Sequence, residues 1–285
     1  MAIKKIGVVG AGAMGTGIAH TAAQSGYDVI LCDVAENYLQ RSIGNIAAVF
    51  DKSIAKGKLT EEQKQAVLGR IHITTDLQEM HDADLVIEAI IENMDAKFDL
   101  FKKLDEICDS HTILSSNTST MSITKLAAAT KRSAQFAGMH FFNPVPVMRL
   151  VEVIRGYDTS DQTVATLLEV TKALGKEGIE VKKDSPGFVV NRLMLPQIRE
   201  AFILADEGIA SIEDIDKAMM LGLNHPMGPF TLMDFAGNDI CYYSLEYLHS
   251  EYAQPNWAPP TNLKRLINAG RLGRKTGKGW YDYNK

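Results

Sequence analysis

Cysteine is scarce in this chain: Cys32, Cys108 and Cys241 are the only three among 285 residues, far apart and odd in number. That excludes a disulfide framework and predicts reduced, buried thiols in a reducing, cytoplasmic compartment. Cationic excess is missing too. Thirty Lys and Arg against 35 Asp and Glu leave a net charge of −5, so no basic face for nucleic acid is expected. No apolar run approaches the roughly 18–20 residues of a membrane span. The opening Met-Ala-Ile-Lys-Lys leads straight into a strand pattern, so no signal or transit peptide is expected. His and Cys show no metal-ligand spacing, and there are no internal repeats or low-complexity segments. What is present, 46% hydrophobic and 23% charged residues, suits a globular protein with core for one large or two ordinary domains.

The first half reads as an α/β domain. Ile3–Val9 is a short β-branched run typical of a buried parallel strand. Gly10-Ala-Gly12-Ala-Met-Gly15 follows at once, and a helical pattern follows that. In this strand–turn–helix setting Gly10 permits the turn, Gly12 admits a pyrophosphate to the backbone, and Gly15 lets helix and strand pack closely. A second strand run, Tyr27–Cys32, ends in Asp33, about 20 residues on, where a carboxylate accepts both ribose hydroxyls and repels a 2′-phosphate. NAD is therefore favoured over NADP, and neither Val34 nor Ala35 offers a cation for that phosphate.

Between Asp33 and the strand Ile71–Thr74, two helices are expected, Glu36–Lys56 and Glu61–Gly69, with Thr60 and Gln63 in capping-box relation. This hairpin insertion is either a solvated or dimer-contact arm or a flap whose lysines, Lys52, Lys56 and Lys58, meet a phosphorylated carrier. Asp84–Ile91 is another strand, placing Glu92 at its C-terminal end and Lys97 a turn into the next helix. Parallel sheets bind ligands at those ends, so both are cofactor-side candidates, though Lys97 fits a solvated helix face equally well. After the strand Thr112–Ser115 comes Ser116-Asn117-Thr118-Ser119-Thr120, a polar cluster that either caps a helix or offers neutral donors to a substrate oxygen.

Next, Phe136–Met139 leads into His140, and after a proline-punctuated corner Leu150–Ile154 carries Glu152. An imidazole at a strand end with a carboxylate in a neighbouring strand is the arrangement of a general base and its orienting partner. It is also that of a structural hydrogen bond, and the spacing leaves both open. A helix Asp161–Leu174, capped by Asp161, and a last strand, Gly178–Val181, complete the domain. Beyond the breakers Asp184-Ser-Pro186-Gly187 the pattern is wholly helical: Phe188–Glu207, Ile212–Leu221, Pro229–His249 and Asn262–Ala269. Leu193, Ile198, Ile203 and Leu204 mark a buried stripe on the first. The expected architecture is a Rossmann-like, mostly parallel sheet over residues 1–185 and an all-α domain over 186–285. Asn191, near the start of the second domain, reads as a cap or as a ligand contact. The apolar surplus there, Met219, Met220 and Phe230 included, points to a homodimer.

Several stretches together resemble the 3-hydroxyacyl-CoA dehydrogenases, most closely the short-chain bacterial 3-hydroxybutyryl-CoA members. They are Gly10–Gly15, Ser116-Asn-Thr-Ser119, Met139-His-Phe-Phe-Asn-Pro-Val-Pro-Val-Met148, Leu150-Val-Glu-Val-Ile154, Ser185-Pro-Gly-Phe-Val-Val-Asn-Arg192, His225-Pro-Met-Gly-Pro229 and Gly273-Arg-Lys-Thr-Gly-Lys-Gly279, and they span the whole chain. The resemblance implies NAD(H)-linked oxidoreduction at C3 of a (3S)-3-hydroxyacyl-CoA thioester. It implies His140 as base and Glu152 as its partner, with Ser119 and Asn191 positioning the substrate. Asp33, Glu92, Lys97, Asn117 and Asn143 fall on the cofactor side, and Lys52 and Lys56 on the CoA side. Thr120 departs from the serine of many relatives but keeps the hydroxyl.

Two other readings remain: a sister enzyme acting on a free hydroxy acid, and a non-catalytic NAD-binding sensor. The His140–Glu152 pair serves any secondary alcohol, so the hairpin lysines, and sensitivity to free CoA, bear on the first.

Overall fold

A computed structural model describes residues 3–284; Met1, Ala2 and Lys285, the outermost residues of the two expected domains, lie outside the described residues. The chain divides into two compact units, Met1–Ser185 and Pro186–Lys285.

The first unit runs β1 (Lys5–Val9), α1 (Ala13–Gln24), β2 (Asp28–Cys32), α2 (Glu36–Ile54), α3 (Glu61–Leu68), β3 (Ile71–Thr74), β4 (Leu85–Glu88), α4 (Met94–Ile107), β5 (Ile113–Ser116), α5 (Ile123–Ala127), β6 (Phe136–Phe141), β7 (Leu150–Arg155), α6 (Asp161–Ala173) and β8 (Glu177–Val181). The strands form one sheet in the order β3-β2-β1-β4-β5-β6-β7-β8. Every neighbouring pair is parallel except β6–β7. In the buried β4, β5 and β6 apolar residues come first and the polar ones, Glu88, Ser115, Ser116 and His140, lie towards the C-terminal ends, while β1 is apolar or glycine after Lys5, as strands covered on both faces require. A core of Ile6, Val8, Ile18, Leu31, Ile87 and Met139 packs α1 against the sheet.

The hairpin insertion is built from two local rules. Leu39, Ser42, Ile46 and Phe50 form the buried stripe of α2 at helical spacing. The capping box is present: the Gln63 amide donates to Thr60 Oγ1 at 3.3 Å, and the Thr60 amide to Gln63 Oε1 at 2.9 Å.

Several expected boundaries shift. The strand expected over Asp84–Ile91 runs only from Leu85 to Glu88, and the Ala89 backbone beyond it packs against Gly10 of the β1–α1 turn. Ser160, not Asp161, caps α6, its hydroxyl accepting from the Thr163 amide at 3.1 Å while Asp161 occupies the first turn.

The second unit comprises α7 (Val190–Asp206), α8 (Ile212–Leu223), α9 (Pro229–Ala236), α10 (Asn238–Tyr252) and α11 (Thr261–Asn268). The helix expected over Pro229–His249 is two, broken at Gly237, whose φ of +112° is open to glycine. The stripe of α7 also differs: Leu195, Ile198, Ala201 and Phe202 are buried, whereas Leu193, on the other side of the helix, is 73% exposed. Two buried carboxylates organise this unit. Asp216 accepts from the Phe230 and Thr231 amides at the start of α9 (2.8 and 3.0 Å). Asp234 accepts from the Trp280 and Tyr281 amides, fastening the C-terminal segment (3.0 and 2.9 Å).

The three cysteines are buried and unbridged; burial pushes the Cys32 and Cys108 thiols up to about 11 and the Cys241 thiol to about 12. Among the described residues no helix is long and apolar enough to cross a membrane.

Close packing at the first glycine turn yields a stability prediction. A Cβ on Gly15 would stand 1.7 Å from the Gly10 carbonyl oxygen, and backbone cannot give way as a side-chain tip can. Gly15→Ala should cost at least about 1–3 kcal/mol, read as a fall of several degrees in the melting temperature; an unchanged melt would contradict the packing described.

Candidate active site

The C-terminal ends of the parallel strands bring most of the candidate residues to one edge of the sheet. At β1 the chain makes its glycine turn. Gly10 has φ +108°, and its missing Cβ would strike the Ala89 carbonyl. The next residues open α1, whose N-terminus has neither a side-chain cap nor an acid in the first turn. Its first N–H groups are thus offered outward with the positive end of the helix dipole. A Cβ on Gly12 would meet nothing within 4 Å, so its surface borders open space. Asp33, one residue past β2, accepts from the Ala11 amide at 2.6 Å and is thereby held against the turn. Gly10, Gly12, Asp33, Tyr38 and Arg41 line a cleft of about 980 Å³. The turn, the uncapped helix start and the carboxylate fit a dinucleotide. Arg41 has no local signature in the sequence; one turn into α2, its guanidinium lies 5.2 Å from the Tyr38 ring centroid.

His140 and Glu152 come together through strand pairing. They are opposite each other in the antiparallel β6–β7 ladder, and directly opposed residues project from the same face. His140 Nδ1 lies 2.7 Å from Glu152 Oε2, and both side chains are buried. A carboxylate acceptor at Nδ1 calls for an N–H there. The Phe142 ring packs 4.4 Å from the imidazole. Behind the corner that joins the strands, the buried Lys176 ammonium donates to the Val145 and Met148 carbonyls (2.6 and 2.7 Å). Burial holds Lys176 below the ordinary lysine range. Asn143 is exposed in that corner, before a cis peptide to Pro144.

Asn117 ties neighbouring strand ends together: its backbone N–H donates to the Glu88 carbonyl (2.8 Å) and its Oδ1 accepts from the Phe141 amide (2.9 Å). Glu92 lies in the loop after β4. Its Oε1 accepts from the Thr118 hydroxyl (2.7 Å) and the Ser119 amide (3.0 Å), with the Ser119 hydroxyl at 3.5 Å. Lys97 is no solvated charge. It is 1% exposed, with its ammonium 2.5 Å from Glu88 Oε1 and 3.0 Å from Glu92 Oε2. Glu88, the last residue of β4 and wholly buried, escaped the sequence reading; its signal was a lone carboxylate ending the run Leu-Val-Ile. Burial raises the Glu88 carboxyl above the usual range despite the Lys97 charge. For Glu92 burial pulls the same way, but the Lys97 charge and the hydrogen bonds from Ser119 and Thr118 outweigh it and leave the carboxyl lowered.

Asn191 is the second residue of α7, half-buried, in the second unit. Lys52, in the last turn of α2, and Lys56, in the turn beyond its end at Ile54, are exposed and stand apart from the lining of the cleft. Among the described residues no three His, Cys, Asp or Glu are grouped to hold a metal ion.

Residues 5–185 match the family model described as 3-hydroxyacyl-CoA dehydrogenase, NAD binding domain, and residues 187–283 match that of the C-terminal domain. The chain belongs to the 3-hydroxyacyl-CoA dehydrogenase family. It is a dehydrogenase of that family, and NAD is its cofactor. A Deinococcus radiodurans protein named "Probable 3-hydroxybutyryl-CoA dehydrogenase" is 51% identical over 98% of this chain and 100% of its own. The 3-hydroxybutyryl-CoA dehydrogenase of Clostridioides difficile is 43% identical over 99% of this chain and 100% of its own. The crystal structure of (S)-3-hydroxybutyryl-CoA dehydrogenase from Ralstonia eutropha superposes with a TM-score of 0.95 at 48% identity, covering 100% of both chains.

The cleft of this dehydrogenase makes two separable predictions for NADH binding, read by fluorescence titration. Gly12→Ala should leave the melting temperature unchanged yet weaken NADH, since its Cβ meets only the space the cofactor needs. Asp33→Ala should weaken NADH about ten- to a hundredfold, the worth of a charged hydrogen bond, and narrow the gap to NADPH. Unaltered NADH affinity in either variant would refute the assignment of the cleft.

Proposed function

We propose that this chain interconverts (3S)-3-hydroxyacyl-CoA and 3-ketoacyl-CoA, with 3-hydroxybutyryl-CoA and acetoacetyl-CoA as the pair it serves, and that His140 and Glu152 transfer the proton. The observation that carries this reading is the buried 2.7 Å contact between His140 Nδ1 and Glu152 Oε2, together with the names of the relatives that match end to end.

His140 Nε2, with its lone pair, takes the proton of the C3 hydroxyl as the C3 hydrogen leaves, and Glu152 stabilises the imidazolium that forms. When bound, NAD supplies the hydride acceptor at its nicotinamide ring. In the reductive direction the imidazolium returns its proton to the C3 oxygen of the ketone. The Ser119 hydroxyl, held near Glu92, contacts that oxygen; Asn191 is a further substrate-positioning group, supported by its motif alone. Glu92, Lys97, Asn117 and Asn143 serve the cofactor side. The exposed ammonium groups of Lys52 and Lys56 suit the phosphates of CoA.

We further propose a homodimeric enzyme of the cytoplasm. Exposed Leu193, Leu221, Leu223, Ile240 and Tyr243 on the second unit support self-association, and three unbridged thiols suit a reducing compartment. Sedimentation equilibrium at the mass of one chain would remove the dimer.

The test of function is NADH absorbance at 340 nm with acetoacetyl-CoA, alongside free acetoacetate. The expected result is turnover of the thioester alone, lowered about 10²–10⁴-fold by His140→Gln and less by Glu152→Gln. Equal turnover of the free acid would move the assignment to a sister hydroxy-acid dehydrogenase. NADH binding with no turnover of either would leave a binding module. Full activity in His140→Gln would remove the histidine from the mechanism.

A further inference from the structure

We infer that Glu88 is a positioning residue for the reaction: a fully buried carboxylate that sets the Ser116–Ser119 turn, and with it the Ser119 hydroxyl, by two converging routes. The inference rests on the proposed role of Ser119 at the substrate's C3 oxygen.

Both oxygens of Glu88 are engaged. Oε1 accepts from the Ile90 amide at 2.8 Å and from the Lys97 ammonium at 2.5 Å, and Oε2 accepts from the Ser116 hydroxyl at 2.6 Å. The first route crosses to the neighbouring strand. Glu88 and Ser116 are register partners at the ends of β4 and β5. With its proton committed to Glu88, the Ser116 oxygen faces the Thr118 amide as acceptor, at 3.2 Å. The second route runs through charge. Lys97 lies between Glu88 and Glu92, and Glu92 gathers the Thr118 hydroxyl, the Ser119 amide and the Ser119 hydroxyl on one oxygen. Thr118 closes the circuit, since its hydroxyl oxygen accepts from the Thr120 and Met121 amides (3.4 and 3.0 Å). Glu88 thus meets the Ser116 hydroxyl directly and the Thr118 amide at one remove, and reaches the Thr118 and Ser119 hydroxyls and the Ser119 amide through Lys97 and Glu92.

Stability does not account for such an arrangement. A fully buried carboxylate–ammonium pair at a strand end carries a desolvation cost, and an apolar side chain in place of Glu88 would extend the Leu85–Ile87 run without it. What a carboxylate adds is direction. As an acceptor-only group at Glu88 it forces Ser116 to donate and Lys97 to stay within reach of Glu92. A glutamine there would present one oxygen and one amide, so it could not receive both Ser116 and Lys97 in the same way.

A double-mutant cycle distinguishes positioning from general support. Glu88→Gln, Ser119→Ala and the double variant are compared in kcat for NADH-dependent reduction of acetoacetyl-CoA, and in the hydrogen exchange of the Thr118–Met121 amides. Glu88→Gln should lower kcat about ten- to a hundredfold in the native background, yet less than about twofold once Ser119 is alanine, because the two act on one contact. It should also speed exchange of those amides while NADH still binds. Equal losses of kcat in both backgrounds, or wild-type kcat and exchange in Glu88→Gln, would overturn the inference. Should Glu88→Gln not fold, Ser116→Ala, which removes only the hydroxyl link, takes its place under the same criteria, with a smaller loss. Absence of thioester turnover in the unmutated enzyme would defeat the proposed function instead. The exchange measurement would then decide by itself whether Glu88 orders the turn.

Discussion

The antiparallel pairing of β6 with β7 is the constraint on which the rest of the first unit turns. Six strands of the sheet run parallel, and the chain then reverses through a short proline-containing corner so that β7 lies back along β6. Only that reversal puts His140 directly opposite Glu152. Because side chains alternate between faces, a slip of one residue would send the carboxylate to the other side of the sheet. The register is therefore protected at several points. Flanking apolar pairs such as Met139–Val153 and Phe141–Val151 are buried, Lys176 fastens the corner through two carbonyls, and Asn117 holds the outgoing end of β6.

Charge at the same edge of the sheet is arranged around what must approach it. The glycine turn and uncapped start of α1 present backbone N–H groups and no competing acid. Asp33 stands to one side, where sugar hydroxyls rather than phosphates are expected. Lys97, buried with Glu88, stands between that carboxylate and the more exposed Glu92, so one cation answers two acids and the loops after β4 and β5 are tied together through it. The contrast with the second unit is instructive. There the buried Asp216 and Asp234 accept from amides and hydroxyls of the protein, which fasten helices and the C-terminal segment.

Much of this was legible in the chain because it depends on local rules. Strand, glycine turn and helix announce themselves through period and punctuation, as does the capping box at Thr60. The passage to an all-helical pattern after Gly187 is a change of period. Where the reading erred, a local rule was overruled. Pro229–His249 looked continuous because the helical stripe persists across Gly237, while the break depends on a backbone angle that composition does not reveal. Ser160 and Asp161 are both good caps, and only the hydrogen bond to Thr163 decides between them. Lys97 carried the signature of a surface charge, since nothing in a sequence shows that two carboxylates converge on it.

By itself, then, the sequence determined the class of fold, the nucleotide turn with its carboxylate, and the presence of a histidine and a glutamate on separate apolar runs. Those follow from hydrophobic period, glycine and residue type, which are properties of neighbours in the chain. The tertiary structure decided what is set by contact across the chain: that Glu152 lies against His140, that Lys97 is buried, that Arg41 borders the cleft, and that Glu88 meets Ser116 and Lys97. Each of these depends on strand register or on the meeting of loops from different strands. Such contacts exist only once burial and hydrogen bonding have fixed the sheet.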